Sequence, residues 1–473
     1  MPGQEIKTQV AVLGGGPGGY SAAFRAADLG KQVTLIEREQ TLGGVCLNIG
    51  CIPSKTLLHA AYILDETKQM GAHGIIFDTP KIDLDKLRSS KDSIIKRLAT
   101  GIKGLARQRK IGLITGTGNF ISPNQIEVTN PSGESILVSF ENAIIATGST
   151  PIELPLTPRD PRIMDSTDAL NLPEIPEQML IIGGGIIGLE MAIVYSSLGS
   201  KVTIVELTDQ LVPGMDADIV EPLKQYNVNK IYKIMLSTKV TKVEAKKDAL
   251  WVTFEGKNAP TQPERFNRIL VAVGRKPNVK LIAADKAGIE IDHKGFIIVN
   301  QKMQTNISHI FAIGDVIGNP MLAHKAVAEG RFVAEIIAGI NPEYHIKNIP
   351  SVAYTDPEIA TVGLTETEAK QNNIPYAKGI FPWMASGRSL SLGRKEGITK
   401  LLFDPISKKI LGGSIVGSNA GELISEVALA INLGATAEKI AHVIHPHPTL
   451  SETIMLASEV FLGTVTDLYL SNK

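Results

Sequence analysis

"TQVAVLGGGPGGYSAAFRAADLGKQVTLIER" (8–38) carries the pattern that decides the fold. An apolar run ends at Gly14. Gly16 and Gly19 follow at GxGxxG spacing, a run of small residues comes next, and a second apolar run closes on Glu37. "QMLIIGGGIIGLEMAIVYSSLGSKVTIVEL" (178–207) repeats the series with Gly183, Gly185, Gly188 and Glu206, the acid lying equally far beyond the first glycine in both copies.

A lone GxGxxG says little. Two copies, each between a strand-like and a helix-like run and each followed by an acid about 20 residues on, predict two Rossmann-like dinucleotide-binding units. The first glycine permits a tight turn, the second lets a pyrophosphate approach the helix N-terminus, and the third allows close helix–strand packing. Glu37 and Glu206 are placed to bond ribose hydroxyls. Leu207 and Thr208 follow Glu206, and no nearby arginine offers to receive a 2′-phosphate. The second unit is therefore expected to prefer NAD over NADP.

Each unit has a matching return strand: "NAIIATGSTP" (142–151) with Gly148 and "RILVAVGRKPN" (268–278) with Gly274. "HIFAIGDV" (309–316) reads as another buried strand, ending at Asp315, where a carboxylate can reach a ligand at the sheet edge or serve only as a turn residue. A helix-like run, "MLAHKAVAEGRFVAEIIAGI" (321–340), follows it. The C-terminal part alternates in "SVAYTDPEIATVGL" and "KLLFDPISKKILGGSIVG" before amphipathic helices. The expected fold is α/β, with two Rossmann-like domains and a C-terminal α+β domain. The expected segments are 1–148, 149–277, 278–348 and 349–473.

Composition bounds the partners. Lys plus Arg and Asp plus Glu both number 48 in 473 residues, so no electrostatic footprint for nucleic acid stands out. The longest apolar stretch, around 179–199, is dense in glycine and carries Glu190, which argues for a buried strand–turn–helix and against membrane insertion. The first residues show no signal or transit pattern, so the expected location is cytoplasmic.

"GGVCLNIGCIPSK" (43–55) holds the chain's only cysteines, Cys46 and Cys51. Pro53 falls in the first turn of a helical pattern, so Cys51 lies at a helix N-terminus, where the dipole favours a thiolate. Lys55, one turn on, adds a cation. Gly43 and Gly44 remove bulk beside Cys46, so a flat group can approach. Zinc needs about four ligands, and the nine histidines offer none at finger spacing. No metal site is expected, and a chain of this size needs no staple. A redox disulfide remains. "HVIHPHPTLSE" (442–452) then matters. By itself His447 with Glu452 reads more readily as a solvated turn, but thiol exchange needs a proton carrier, which favours a base with its orienting carboxylate.

On "GGGPGG" with Glu37, "GGVCLNIGCIPSK", "IIATGS", "GGGIIGLE" with Glu206, "AVGRKPN", "FAIGD" and "HPHPTLSE", all in family order, the whole chain resembles the flavin-dependent disulfide oxidoreductases, most closely their dihydrolipoamide-oxidising branch. The resemblance implies FAD on the first unit (1–148), NAD on the second (149–277), a central part (278–348) returning to the flavin and a C-terminal dimerisation domain (349–473). Asp315 would contact the FAD ribityl chain, and Met321, Leu322 and Ala323 would open a helix facing the flavin. Cys51 would be the flavin-side thiol and Cys46 the exchanging one. Lys55 would pair with Glu190 beside the flavin. His447, oriented by Glu452, would serve the partner subunit of a homodimer. The implied substrates are lipoyl domains of 2-oxoacid dehydrogenase acyltransferases or the H protein of the glycine cleavage system. Val45 stands where a threonine is common. Rival readings are another disulfide reductase, such as glutathione reductase, or a silent FAD/NAD-binding module. The absence of a C-terminal cysteine speaks against the mercuric and thioredoxin reductases.

Overall fold

The computed structural model describes residues 5–343 and 347–470. His345, one of the histidines weighed for a metal, lies outside them.

The first glycine unit builds a sheet around strand Glu5–Leu13, which runs parallel to Val33–Glu37 on one side and to Ser135–Ile145 on the other. Gly112–Thr115 extends the sheet beyond Val33–Glu37. Val10, Val12, Leu35 and Ile144 are fully buried, as expected for parallel strands covered on both faces. On its other edge the first half of Ser135–Ile145 pairs antiparallel with Gln125–Thr129, which pairs with Thr117–Ser122. The last half receives Ile310–Ala312 in parallel, so the chain returns to its first sheet after completing the second unit.

The second unit repeats this plan. Gln178–Ile182 lies between Lys201–Val205 and Arg268–Val271, all parallel, and a separate antiparallel meander (238–266) stands in for the first unit's outer strands. The repetition therefore extends beyond the glycine loops. A short antiparallel pair, Ser149–Pro151 with Arg275–Pro277, stitches the units together just past Gly148 and Gly274. Both glycines have left-handed backbones, at φ 70° and φ 123°, where the chain turns out of each sheet.

The C-terminal part is a five-stranded antiparallel sheet with helices Ala420–Asn432 and Glu452–Leu462 packed on it around buried Trp383, Phe381 and Phe403. An ionic junction fastens it to the second unit. Lys400, 1% exposed, donates to Asp216 (2.8 Å), Asp218 (2.6 Å) and Glu366 (3.0 Å). These carboxylates are the one group of acids close enough to hold a cation among the described residues, and the ammonium already sits among them. Burial opposes ionisation of Asp216 and Glu366, but the bonds from Lys400 with those from Thr367, or from Tyr376 and Lys378, hold both down to about 2. Among the described residues no helix is long and apolar enough to cross a membrane.

Candidate active site

The glycine loops are built alike. Gly14 and Gly183 have left-handed backbones (φ 108° and 112°), and a side chain on either would collide with a carbonyl, that of Ala146 at 2.3 Å or of Ala272 at 2.4 Å. A Cβ on Gly19 or Gly188 would strike the first glycine's carbonyl at 1.8 or 2.1 Å. Gly16 and Gly185 sit at the N-caps of Pro17–Asp28 and Ile186–Leu198 with no side-chain cap, so those helix starts keep donors free for an anion.

Each acid also buttresses its own loop. Glu37 accepts from Gly15 N (2.6 Å) and Glu39 N (3.0 Å). Glu206 accepts from Gly184 N (2.7 Å), Thr208 N (2.8 Å) and Thr208 Oγ1 (2.9 Å). A carboxylate has roughly four acceptor sites, so a ribose bond remains compatible with these partners.

The thiols lie where two helices meet. Gly44–Ile49 forms one short helix, which the sequence pattern did not announce, and Cys51–Gln69 follows after Gly50. Gly43 (φ 116°) and Gly44 (φ 58°) both need left-handed backbones. The closest approach at Gly44 is to the first glycine loop: a Cβ there would lie 2.6 Å from Gly16 Cα.

Cys46 and Cys51 are free and partly buried. A hydrogen bond from Cys46 draws the Cys51 thiol down to about 7 against the effect of burial, with Lys55 assisting and Glu190 opposing. The same bond, with burial, raises Cys46. The neighbouring thiol thus outranks Lys55, the cation that the sequence pattern brings forward. Of the reduced pair, Cys51 is the thiol that ionises first and Cys46 the one that keeps its proton.

Helix Cys51–Gln69 packs across to Ile186–Leu198 of the second unit, where Ser197 Oγ donates to Asp65 at 2.7 Å. That crossing brings Lys55 to Glu190. Lys55 Nζ lies 2.9 Å from both carboxylate oxygens, and Glu190 is buried.

Asp315 lies beyond its strand, which stops at Ala312; the residue belongs to a 3₁₀ turn over Gly314–Ile317. The expectation of a strand reaching Asp315 is corrected here, because Gly314 (φ 74°) breaks the extended backbone. Asp315 Oδ2 accepts from Ser149 Oγ at 2.5 Å, and Arg275 Nε donates to that Ser149 oxygen at 2.7 Å. Glu329, paired with Lys325 at 3.0 Å, accepts from Gly314 N at 2.7 Å and steadies the turn. Met321 and Leu322 precede the helix that starts at Ala323.

A single cavity of about 1860 Å³ is lined by both glycine loops, both acids, the thiols, Lys55 and Glu190, and also by Gly148, Gly274, Asp315 and Met321–Ala323. His447 and Glu452 are not part of it. His447 Nδ1 lies 2.9 Å from Glu452 Oε1, Glu452 also accepts from Thr449 N at 2.7 Å, and the imidazole is 79% exposed. Within one chain the structure therefore joins His447 to Glu452, but not to the thiols. Sequence reasoning missed Ser149, Arg275, Lys325, Glu329 and Tyr354. Ser149, Arg275 and Tyr354 are single residues with no spacing pattern of their own, whereas Lys325 and Glu329 stand at i,i+4 on one helix, a spacing that could have found them.

Residues 8–330 match the profile of the pyridine nucleotide-disulphide oxidoreductases, and 349–458 match the dimerisation domain of the same group. The dihydrolipoyl dehydrogenase of Vibrio cholerae serotype O1 is 55% identical over 466 residues, covering 98% of each chain. That of Haemophilus influenzae is 53% identical over 466 residues, covering 98% of this chain and 97% of that one. In the solved structure of the Cu(II) complex of the HOCl-induced flavoprotein disulfide reductase RclA from Escherichia coli, the fold superposes with a TM-score of 0.86 at 26% identity, over 97% of this chain and 99% of that one. With its paired glycine loops and neighbouring thiols, the chain belongs to the pyridine nucleotide-disulphide oxidoreductases, within the dihydrolipoyl dehydrogenase family.

Proposed function

We propose that the chain oxidises dihydrolipoyl groups through Cys46 and Cys51 and passes the electrons by way of FAD to NAD. The observation that carries this reading is the asymmetry of the thiol pair, with a Cys51 thiolate beside Lys55–Glu190 in the cavity that also contains both glycine loops.

The cavity residues fit both dinucleotides. Loop 14–19 with Glu37, Gly148, Asp315 and Met321–Ala323 would hold FAD; loop 183–188 with Glu206 and Gly274 would hold NAD. The uncapped helix starts supply phosphate donors, and Gly148 and Gly185 leave open space where a side chain would stand. Bound FAD supplies the two-electron relay between the thiols and nicotinamide.

The chain's own steps start at the thiols. His447 takes a proton at Nε2 from one substrate thiol, its Nδ1 being held by Glu452. The substrate thiolate attacks Cys46 Sγ, the Cys46–Cys51 bond breaks, and Cys51 leaves as the stabilised thiolate. The second substrate thiol displaces Cys46 Sγ and closes the cyclic disulfide of the product, giving its proton to Cys46. Two electrons have then entered the cysteine pair, with one proton on Cys46 and one on His447.

His447 would serve the thiols of a second copy in a homodimer, a role that its exposure to solvent outside the cavity supports. The 349–458 match to a dimerisation domain supports this. The protein substrates would be lipoyl domains of 2-oxoacid dehydrogenase acyltransferases or the glycine cleavage H protein, and the assignment to the cytoplasm rests on sequence alone. The chain would divide at 148, 277 and 348, and the strand Ile310–Ala312 rejoining the first sheet supports the return of the third part to the first unit.

Steady-state assays with dihydrolipoamide and with glutathione, each with NAD and NADP, test the reading. Turnover is expected with dihydrolipoamide and NAD; a preference for glutathione with NADPH would overturn it. Cys46→Ser is expected to abolish dihydrolipoamide turnover while leaving a Cys51 thiolate beside oxidised flavin, and normal turnover would remove Cys46 from the exchange role.

A further inference from the structure

Lys55 and Glu190 have a third companion. Tyr354 follows the short strand Ser351–Ala353 of the C-terminal sheet. Its ring centroid lies 4.5 Å from Lys55 Nζ, and its backbone N–H donates to Glu190 Oε1 at 3.1 Å. One residue of the C-terminal part thus touches both members of an ion pair drawn from the two nucleotide units. The ammonium is held between carboxylate and aromatic face, and an aromatic face attracts a cation.

Tyr354 is itself fixed. A Cβ on Gly421, at the start of helix Ala420–Asn432, would come 3.5 Å from Tyr354 Cε1, so the ring lies against that helix start. Two residues on, Asp356 accepts from Lys230 at 2.9 Å and from the buried guanidinium of Arg394. Thr355 Oγ1 closes the turn onto the Pro357 carbonyl at 2.7 Å. Tyr354 is 37% exposed and lines the cavity, so it shields the lysine without sealing it.

We propose that Tyr354 is a positioning residue that pins the Lys55 ammonium and the Glu190 carboxylate beside Cys51, so that the C-terminal part sets the charge felt by the flavin-side thiol. This rests on the reading of Cys51 as the thiol facing the flavin. The groups acting on Cys51 are Cys46, Lys55, Glu190, Tyr20, Arg275 and Tyr354 itself. Of these, Lys55 is the cation that the ring holds. Replacing the ring by an alkyl chain hydrates Lys55 and weakens its field at the sulfur, whereas replacing the hydroxyl alone leaves the face in place.

The test uses flavin-loaded enzyme reduced anaerobically by one equivalent of dithionite, with the long-wavelength thiolate-to-flavin absorbance followed against pH. Tyr354→Phe is expected to superpose on the unmodified enzyme. Tyr354→Leu is expected to move the midpoint upward by about half a pH unit, the size of a partly exposed cation–π contact. In a Lys55→Met background the same Tyr354→Leu change is expected to add nothing. Tyr354→Met, which keeps bulk without a ring, replaces the leucine variant if that one loses flavin. No shift in Tyr354→Leu, an equal shift in the Lys55→Met background, or a Phe variant that behaves like Leu would each overturn the role. If the unmodified enzyme shows no such band, it is the assignment of Cys51 that fails, and the two failures are told apart by that control.

Discussion

The two glycine loops are copies down to single hydrogen bonds, yet one is roofed and the other open. Gly15 N bonds Glu37 as Gly184 N bonds Glu206. Gly43 N returns to the Gly15 carbonyl at 2.8 Å as Val212 N returns to that of Gly184 at 2.9 Å. Beyond that bond the copies part. The first runs through left-handed Gly43 and Gly44 into the thiol helices, with Gly44 pressed on Gly16. The second runs through Val212 and Pro213 to Asp216 and the Lys400 junction, and nothing lies within 4 Å of where a Gly185 side chain would stand. One loop design is thus adapted by the segment that continues from its acid. A roofed loop beside the thiols suits a retained cofactor, and an open one braced from outside suits a co-substrate that comes and goes.

Removing the brace should have the largest effect. Lys400→Met leaves Asp216 buried without its cation and Glu366 with only the exposed Lys370 and Lys378, a loss of about 3–5 kcal/mol by analogy with broken buried ion pairs. Denaturant unfolding is expected to show it as a lower midpoint. Acid should reach the same bonds. Both carboxyls are held below their ordinary range, to about 2, so their contribution is complete above pH ~4 and drains away as pH falls through about 2. The unmodified protein should therefore lose stability between about pH 4 and pH 2, and the Lys400→Met variant should lose less over that interval. Equal acid sensitivity in both would separate the junction from the low carboxyl values.

Disturbing the roof is expected to come next. Gly44→Ala puts a Cβ 2.6 Å from Gly16 Cα on a backbone at φ 58°, so the thiol helix or the first loop must shift. The direct strain is about 1–2 kcal/mol, but it falls on the loop assigned to FAD. The purified variant is expected to carry less flavin per chain, read from the ratio of visible to ultraviolet absorbance, while its affinity for NAD is retained. Full flavin content would show that the contact between Gly44 and Gly16 is not needed to hold the cofactor.

Legibility in the sequence obeys the same division between near and far. Both loops are legible because a phosphate-binding turn, its helix and its acid form one local unit with fixed spacing. The Cys46–Cys51 pair and the His447–Glu452 pair are legible for the same reason, each lying within a single short segment. The ion pair of Lys55 and Glu190 spans 135 positions and comes only from family resemblance, since no local rule joins a helix of one unit to a helix of the next. In the sequence Tyr354 is only part of an alternating strand, although its contacts reach Lys55 and Glu190 in other units. The sequence pattern also credits Lys55 and the helix dipole with lowering Cys51, whereas the bond from Cys46 ranks first, an effect that depends on how a short helix and a long one meet at Gly50.

The smallest expected effect is the sharpest test of roofed against open. Gly185→Ala and Gly16→Ala are the same change at the same place in the two copies. Neither residue has a left-handed backbone, and the protein offers a new Cβ no obstacle nearer than Gly44 Cα at 3.8 Å, next to Gly16. Any consequence must then come from the dinucleotide whose phosphates approach that backbone. Gly185→Ala is expected to raise KM for NAD about fivefold, near 1 kcal/mol, with flavin content untouched. Gly16→Ala is expected to lower flavin content with KM for NAD untouched in the fraction that keeps flavin. If Gly185→Ala releases flavin instead, the two dinucleotides have been assigned to the wrong loops, and the roof over the first loop is only a seat for the thiols.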